Sequence, residues 1–319
     1  VPAIHGEGLD TALLNLRERI ACPGQPVLFL TNDAMVRTVG RCWDRLEGRY
    51  ALSWSHAPNE LTPLLDKPAV EARCAESDLD YPQTFVLGSP SEVDDALDRI
   101  CFPMIVKPAR PLSQFKTAQP DNSDALRRHV DRFAADLPFL VQRFVPGDDT
   151  TIHFCALYLE RGKALARFDG RKLRSRPLGH TSIAEACPDD AVHERTVRFF
   201  EGLDLSGPVS LELKRDPEGK LWVIEPTVGR TDFWVGLCIE NGVNLPLIEY
   251  QHQTGQSFCA PRQIDSTVWF NEDRDPFGRI WLSREPGLGM KARRSAFVFL
   301  HHSDPAPALS FLRQRLARR

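Results

Sequence analysis

The sequence has 319 residues, 42% of them hydrophobic, and a formal net charge of −3 at pH 7. This length allows two or three packed units, and the composition is normal for a globular protein. The near-neutral charge excludes a general electrostatic attraction to nucleic acid or to an anionic membrane.

No apolar run in the sequence is long enough to span a bilayer, and no signal-peptide pattern opens it. We therefore expect a cytoplasmic protein without a membrane span, although the chain begins at Val1 and an upstream segment is one option. The eight cysteines stand singly, without a CxxC pair. This spacing argues against a structural zinc site and against a disulfide framework, and it predicts free thiols.

The first sixty residues show the alternation of a small α/β unit. The patterns predict an amphipathic helix over 10–20, a buried strand over 27–30, a helix from the cap at 31–33 to about 46, and a strand over 51–54. Strand, helix and strand with short connections predict a piece of parallel sheet. The unit carries no GxGxxG motif and is too small for a complete dinucleotide-binding unit.

Beyond residue 61 the pattern changes to mixed, shorter elements. We predict helices over 68–79, 91–100, 124–135, 190–203 and 235–253, and strands over 84–87, 104–107, 139–145, 151–159, 209–215 and 221–226. The turn sequence Asp-Pro-Glu-Gly at 216–219 joins the last two strands into a hairpin. We predict that the chain divides into units 1–60, 61–138 and 139–260, followed by a C-terminal extension, 261–319.

The hairpin carries two glutamates that side-chain alternation places on one face. A turn centred between Pro217 and Glu218 pairs Glu212 with residue 223, so that Glu212 and Glu225 lie diagonally on neighbouring strands. The flanking Leu211, Leu213, Trp222 and Ile224 then point to the core. Two carboxylates on one face repel unless they are protonated or bridged by a cation, and magnesium prefers such oxygen ligands. The alternative is an exposed hairpin with two unrelated surface glutamates.

Two further segments could hold a nucleotide. Lys107 ends the apolar strand 104–106 and precedes a proline, where a lysine can serve as a point charge on phosphate. The strand that ends at Val145 is followed by a tight turn and acidic residues, a pattern that can hold a purine on its backbone edge and a ribose on a carboxylate. Taken alone, the first is also a common surface strand end and the second a plain β-turn.

The order of the three segments resembles the ATP-grasp superfamily, an α+β fold in which two subdomains clasp ATP. The resemblance makes residues 1–60 a partial N-terminal α/β unit that precedes the two subdomains. It implies that Lys107 binds the ATP phosphates, that Gln142 and Arg143 touch adenine with Val145 below the base, and that Asp149 binds the ribose. It also implies that Glu212 and Glu225, thirteen residues apart, are the magnesium ligands. Lys67, in a segment that looks like the entry to the first subdomain, is a further nucleotide-binding candidate.

The resemblance is greatest to a bacterial carboxylate–amine ligase branch of exopolysaccharide-associated proteins. The matching segments are EPTVGRTD at 225–232, NGVNLP at 241–246 and RKLR at 171–174, and the likeness runs from about 26 to 255. It implies an ATP- and Mg²⁺-dependent ligase, with Mn²⁺ as a substitute metal. The implied enzyme activates a small-molecule or carrier-linked carboxylate as an acyl phosphate for attack by an amine, and a homodimer is one option.

Within this hypothesis, Arg230 is the candidate to clamp the acyl phosphate, and Lys172 and Arg174 are candidates for the γ-phosphate or the substrate carboxylate. An arginine paired with a nearby acid and a solvated basic face are the alternatives for these residues.

The sequence departs from the family at two places. Thr227 stands where most relatives have a metal-binding asparagine, and segment 108–120 has no glycine where most relatives have a glycine-rich phosphate loop. We expect Thr227 to act as a weaker metal ligand and Lys116 to replace loop amides with charge. These departures support the alternative of a non-catalytic or regulatory ATP-binding protein with the same fold.

Overall fold

The computed structural model describes residues 8–109, 114–115, 117–176, 180–285, 288, 293–301 and 303–317. Over these residues the helices are α1 (Leu9–Arg19), α2 (Asp33–Arg41), α3 (Trp43–Leu46), α4 (Pro58–Leu61), α5 (Lys67–Glu76), α6 (Val93–Arg99), α7 (Ser123–Arg132), α8 (Asp190–Phe200), α9 (Val235–Glu240), α10 (Leu245–Gln253), α11 (Gly278–Leu282) and α12 (Ala306–Ala317). The strands are β1 (Thr84–Leu87), β2 (Met104–Pro108), β3 (Phe139–Arg143), β4 (Ile152–Glu160), β5 (Lys163–Ser175), β6 (Thr181–Ala186), β7 (Gly207–Arg215), β8 (Leu221–Val228), β9 (Thr267–Phe270) and β10 (Arg294–Phe297).

The first sheet has three antiparallel strands in the order β1-β3-β2. One face packs on α6 and α7 through alternate residues such as Val106 and Val141, both fully buried. Because side chains alternate along a strand, Lys107 and Gln142 lie on the opposite face. The sheet therefore offers a polar face, away from its helices, for a ligand.

The second sheet has seven strands in the order β10-β9-β6-β5-β4-β7-β8, antiparallel except for the β9–β10 pair. One face of β4 and β7, with Cys155 and Leu211, packs on α8 and on the N-terminal helices. On the other face, α9 and α10 pack against Phe154, Ala156 and neighbouring apolar residues, which form a separate cluster. The β7–β8 end of this second face stays open around Glu212 and Glu225.

The N-terminal residues 8–76 pack in one core with β4, β7 and β8 rather than forming a separate sheet. The predicted strands 27–30 and 51–54 are wrong as strands. They are extended segments joined by a single parallel bridge between Val27 and Ala51. Their apolar side chains are used for packing: Trp54 is fully buried, and its indole N–H donates to the Gly229 carbonyl at 3.0 Å. Tertiary contact with β8 thus takes the place of a sheet.

The other predicted elements of 61–260 are present within a few residues of their expected ends, except that 235–253 is interrupted between α9 and α10. Strands β5, β6, β9 and β10 were not predicted. The unit boundaries remain a proposal, and β3, at the start of the predicted 139–260 unit, pairs with β1 and β2. All eight cysteines are free thiols, and none of the helices in the described ranges is long and apolar enough to cross a bilayer.

Candidate functional site

The hairpin β7–β8 places Glu212 directly opposite Glu225. The predicted pairing of Glu212 with residue 223 is wrong, because Leu213 pairs with Val223 and a bulge then shifts the register by one residue. The prediction that Trp222 and Ile224 join Leu211 and Leu213 in the core is also wrong. Val223 packs with the two leucines instead. The bulge returns Glu225 to the face of Glu212, so the two carboxylates share the open face of the sheet.

Lys172 is buried beside this pair. It extends from β5, and its Nζ lies 2.7 Å from Oε2 of Glu212. Burial by itself lowers the pKa of Lys172, but Glu212 and Glu225 outweigh burial and raise this pKa. Burial raises the pKa of Glu212, with Lys172 opposing that rise and Glu225 adding to it. The ammonium group therefore supplies the counter-charge that lets two carboxylates share one face.

Thr227 belongs to the same pocket but is engaged with an acid. Its hydroxyl donates to Oδ1 of Asp232 at 3.1 Å, and Ser210 donates to Oδ2. Burial raises the pKa of Asp232. The Thr227 oxygen keeps its lone pairs for a cation, since it acts as the donor in this bond. The pocket is lined by Phe154, Lys172, Thr181, Ser210, Glu212, Glu225, Thr227, Asp232, Phe233 and Trp234.

Lys107 approaches this pocket from the three-stranded sheet. Its Nζ donates to Oε1 of Gln142 at 3.1 Å. Burial, helped by the charge of Lys67, lowers the pKa of Lys107 to about 8, although Glu225 and Glu212 oppose the change. Burial also lowers the pKa of Lys67, at the start of α5, and the charge of Glu225 opposes this change. Strand β2 and helix α5 thus bring two lysines into electrostatic range of the two carboxylates, an arrangement that suits a polyphosphate with its metal ion.

The segment 141–149 joins the two sheets. The side-chain amide of Gln142 donates to Thr84 Oγ1 at 2.8 Å, so Gln142 holds Lys107 in place. Arg143 lies over the Trp222 ring, with its guanidinium carbon 5.1 Å from the ring centroid, and Val145 is buried. Asp149 accepts the backbone N–H of Ser175 at 2.7 Å, which ties this segment to β5.

Lys214 is a residue of this region that the sequence analysis missed. It follows Glu212 by two positions in β7, and its Nζ donates to the Gly147 carbonyl at 2.7 Å. It also lies 5.0 Å from the centre of the Phe144 ring and is attracted by Asp149. Strand alternation from Glu212 was the signal that could have found it, since it places Lys214 on the carboxylate face.

Two of the predicted arginines are held by acids. Arg174 follows a bulge in β5, and its Nε lies 3.2 Å from Asp275, just before α11, while its guanidinium stacks over Trp281 in that helix. The structure therefore does not bring Arg174 to the carboxylate pair. Arg230, just after β8, lies 2.7 Å from Asp33 through its Nε and 3.8 Å from Asp232 through Nη1.

Lys116, the predicted loop lysine, lies outside the described residues, as do residues 110–113. Within the described ranges, no group of three or more His, Cys, Asp and Glu side chains gathers into a metal cluster. The residues nevertheless fit magnesium, which typically binds one or two carboxylates and completes its shell with substrate phosphates and water. Among the described residues Glu225 forms no ion pair or hydrogen bond, and it faces Glu212 across the hairpin.

No protein-family model matches the chain. It is 24% identical over 236 residues to D-aspartate ligase of Enterococcus faecium (strain Aus0004). The aligned segments cover 61% of this chain and 53% of the ligase. Among solved structures it is similar to biotin carboxylase of Campylobacter jejuni, with a TM-score of 0.64, 11% identity, and 80% of this chain and 60% of that chain covered. It is also similar to L-amino acid ligase of Bacillus licheniformis, with a TM-score of 0.59, 15% identity, and 82% and 63% covered.

These similarities show the fold: the chain has the α+β ATP-grasp fold, as the sequence motifs predicted. The chain spans about half the length of the D-aspartate ligase and under two thirds of the two solved structures.

Proposed function

We propose that this ATP-grasp chain is an ATP- and Mg²⁺-dependent carboxylate–amine ligase. The observation that carries the proposal is the pair Glu212–Glu225, joined to Lys172 on one sheet and within electrostatic range of Lys107 in β2 and Lys67 in α5. Five charged groups of this kind around one pocket suit a metal-bound triphosphate better than a neutral ligand. The similarity to a D-aspartate ligase and to an L-amino acid ligase supports a carboxylate and an amine as the reactants.

The proposed reaction has two steps. A substrate carboxylate oxygen attacks the γ-phosphorus of ATP, the bond from that phosphorus to the bridging oxygen breaks, and ADP leaves with the electron pair. The neutral amine then attacks the acyl carbon, inorganic phosphate leaves, and the amine proton passes to solvent or to the departing phosphate. Such phosphoryl transfer depends on alignment and on neutralising charge on the transferring group.

The residues divide this task by position. We assign Lys107 and Lys67 to the phosphates, with Gln142 holding the Lys107 ammonium, and Asp149 to the ribose. Glu212 and Glu225 would hold Mg²⁺ (or Mn²⁺), with Thr227 as a weaker oxygen donor. The bound metal would neutralise phosphate charge as the γ-phosphoryl group is transferred.

Lys172 has a role that sequence motifs had left open. Since it is paired with Glu212, we assign it to fixing that carboxylate and to supplying positive charge beside the γ-phosphate. Arg230 is the proposed clamp for the acyl phosphate, because a guanidinium donates charge-assisted hydrogen bonds to such oxygens.

The test begins with nucleotide binding. Calorimetric titration of ATP with Mg²⁺ should show binding to the wild type that is lost in Glu225→Gln and in Lys107→Ala. Glu218→Gln, which changes an exposed glutamate in the turn of the same hairpin, is the matched control and should bind like the wild type. Unchanged affinity in both site variants would refute the site assignment.

Catalysis is tested separately. Release of phosphate from ATP is measured over a set of paired carboxylates and amines, with the products identified by mass. Amide formation by one pair, abolished in Glu225→Gln, is the expected result. Tight ATP binding without phosphate release for any pair would favour a non-catalytic ATP-binding protein, for which Thr227 and the glycine-free segment 108–120 are the supporting features.

A further inference from the structure

The turn that carries Arg230 is held by the N-terminal unit at two points. Trp54 donates its indole N–H to the Gly229 carbonyl at 3.0 Å, and Gly229 takes a φ of 72° under this contact. One residue later, Oδ1 of Asp33 accepts the Nε–H of Arg230 at 2.7 Å. The position of Arg230 therefore depends on residues about 200 positions earlier in the chain.

Asp33 binds only one edge of the guanidinium. The Arg230 Nη1 donates to the Thr231 carbonyl at 3.1 Å, and Nη2 has no hydrogen bond to any described residue. The Arg230 side chain is 15% exposed, whereas that of Asp33 is 54% exposed. An arginine has five donors in a planar fork, so the pairing on Nε fixes the plane of the group and leaves Nη2 for another oxyanion.

Arg230 lies beside the carboxylate pocket. Arg230, Ser210, Asp232 and Trp234 line a small cavity, and the last three of these residues also line the pocket of Glu212 and Glu225. Because the two cavities share these three lining residues, Arg230 borders the space next to the two metal-binding candidates.

We infer that Asp33 is a positioning residue for Arg230, which it holds so that Nη2 can bind the carboxyl or phosphoryl oxygen of the acyl phosphate. The inference rests on the proposed function and adds a residue of the N-terminal unit to it. Asp33 acts through Arg230, and Val36 of the same helix packs beside Gly229, the residue before this arginine. A carboxylate partner also keeps the long arginine side chain from sampling other rotamers before the ligand arrives.

The test uses the full chain saturated with ADP and Mg²⁺. The probe is acetonylphosphonate, in which a methylene replaces the bridging oxygen of acetyl phosphate, and its affinity is measured by calorimetry. Arg230→Met should abolish the binding. Asp33→Ala should weaken it about tenfold, the value of one charge-assisted hydrogen bond, and Asp33→Glu should restore most of it.

The matched control is Asp204→Ala. It removes an equally exposed aspartate whose ion pair with Arg161 is 2.6 Å long, and it should bind the probe like the wild type. In all variants except Arg230→Met, affinity for ADP and the thermal midpoint should stay at the wild-type values, which a general structural role of Asp33 would change.

The outcomes separate the inference from the proposed function. Wild-type affinity in Asp33→Ala, with binding lost in Arg230→Met, overturns the role of Asp33 and leaves the ligase proposal standing. An equal loss of ADP and probe affinity in Asp33→Ala also overturns it, because the effect is then not specific to the acyl phosphate. A wild type that binds ADP and Mg²⁺ but not the probe overturns the acyl-phosphate step and the role of Asp33 together.

Discussion

Removing the ammonium of Lys172 should destabilise the protein in a pH-dependent way. Lys172 and Glu212 form a buried pair, with side chains 5% and 16% exposed and a contact of 2.7 Å. Lys172→Met keeps the side-chain volume but leaves Glu212 buried beside Glu225 with no counter-charge. Removal of one partner of a buried ion pair typically costs about 3–5 kcal/mol, because the remaining charge is uncompensated.

The pH dependence follows from the proton bound by Glu212. Burial raises its pKa in the folded protein above the ordinary 4.5, and loss of Lys172 raises it further. The folded variant then binds more protons than the unfolded chain above pH 4.5, so its stability falls as the pH rises. Each pH unit in this window costs at most about 1.4 kcal/mol, until the pH passes the folded-state pKa.

The assay is urea unfolding of wild type and variant at pH 5 and pH 8, without nucleotide or metal. We expect the difference in free energy of unfolding to be small at pH 5 and about 3 kcal/mol at pH 8. Lys220→Met is the control, since Lys220 forms an exposed ion pair of 2.6 Å with Asp80 and should cost under about 1 kcal/mol at both pH values. The double variant Lys172→Met/Glu212→Gln should recover most of the loss at pH 8.

Equal destabilisation at pH 5 and pH 8 would refute this reasoning, since the cost would then come from packing and not from the charge of Glu212. A loss no larger than that of Lys220→Met would show that Glu212 is solvated in the folded protein.

Three further predictions concern other buried groups. Because burial lowers the pKa of Lys107 to about 8, affinity for ADP should fall between pH 7 and pH 9 in the wild type, and in Lys107→Arg it should not. Glu249 is buried, accepts a hydrogen bond from the Ser53 hydroxyl and has no ion pair among the described residues, and burial raises its pKa to about 7. Wild type should therefore lose up to about 3 kcal/mol of stability relative to Glu249→Gln as the pH rises from 4.5 to 8, measured by urea unfolding. Gly229→Ala places a Cβ 2.9 Å from the Trp54 indole nitrogen at a φ of 72°, and should lower the thermal midpoint by an amount equivalent to about 1–3 kcal/mol; an unchanged midpoint would show that the turn relaxes freely.

The local sequence signals were sufficient for the strands of the three-stranded sheet and for β4, β7 and β8 of the larger sheet. Apolar runs bounded by turn residues predicted β1 and β2. The place of Lys107 near the end of β2 follows from its position after the apolar run 104–106. Alternation along β7 and β8 predicted that Glu212 and Glu225 share a face. The N-terminal strands were wrong because an apolar run of four residues is equally suited to a strand and to buried irregular packing, and contact with β8 decided between them.

Other parts of the site are decided by contacts that no local pattern contains. Periodicity implies one regular register for the hairpin, whereas the bulge that aligns Glu225 with Glu212 depends on how β8 packs against the core. The basic stretch 171–174 reads as one patch in the sequence, yet a bulge in β5 sends Lys172 to Glu212 and Arg174 to Asp275.

The type of fold, the paired carboxylates and the position of Lys107 at a strand end could be read from the amino-acid sequence, because each depends on a short segment and on the order of segments along the chain. The folded chain was needed to find that Lys172 pairs with Glu212, that Lys214 reaches the turn at Gly147 and that Asp33 pairs with Arg230. The residues of these three pairs, in the same order, are 40, 67 and 197 positions apart in the sequence. Formation of the pairs depends on how helices and sheets pack. A charged side chain that loses its hydration on burial is costly unless it is paired, and the partner is set by the packing.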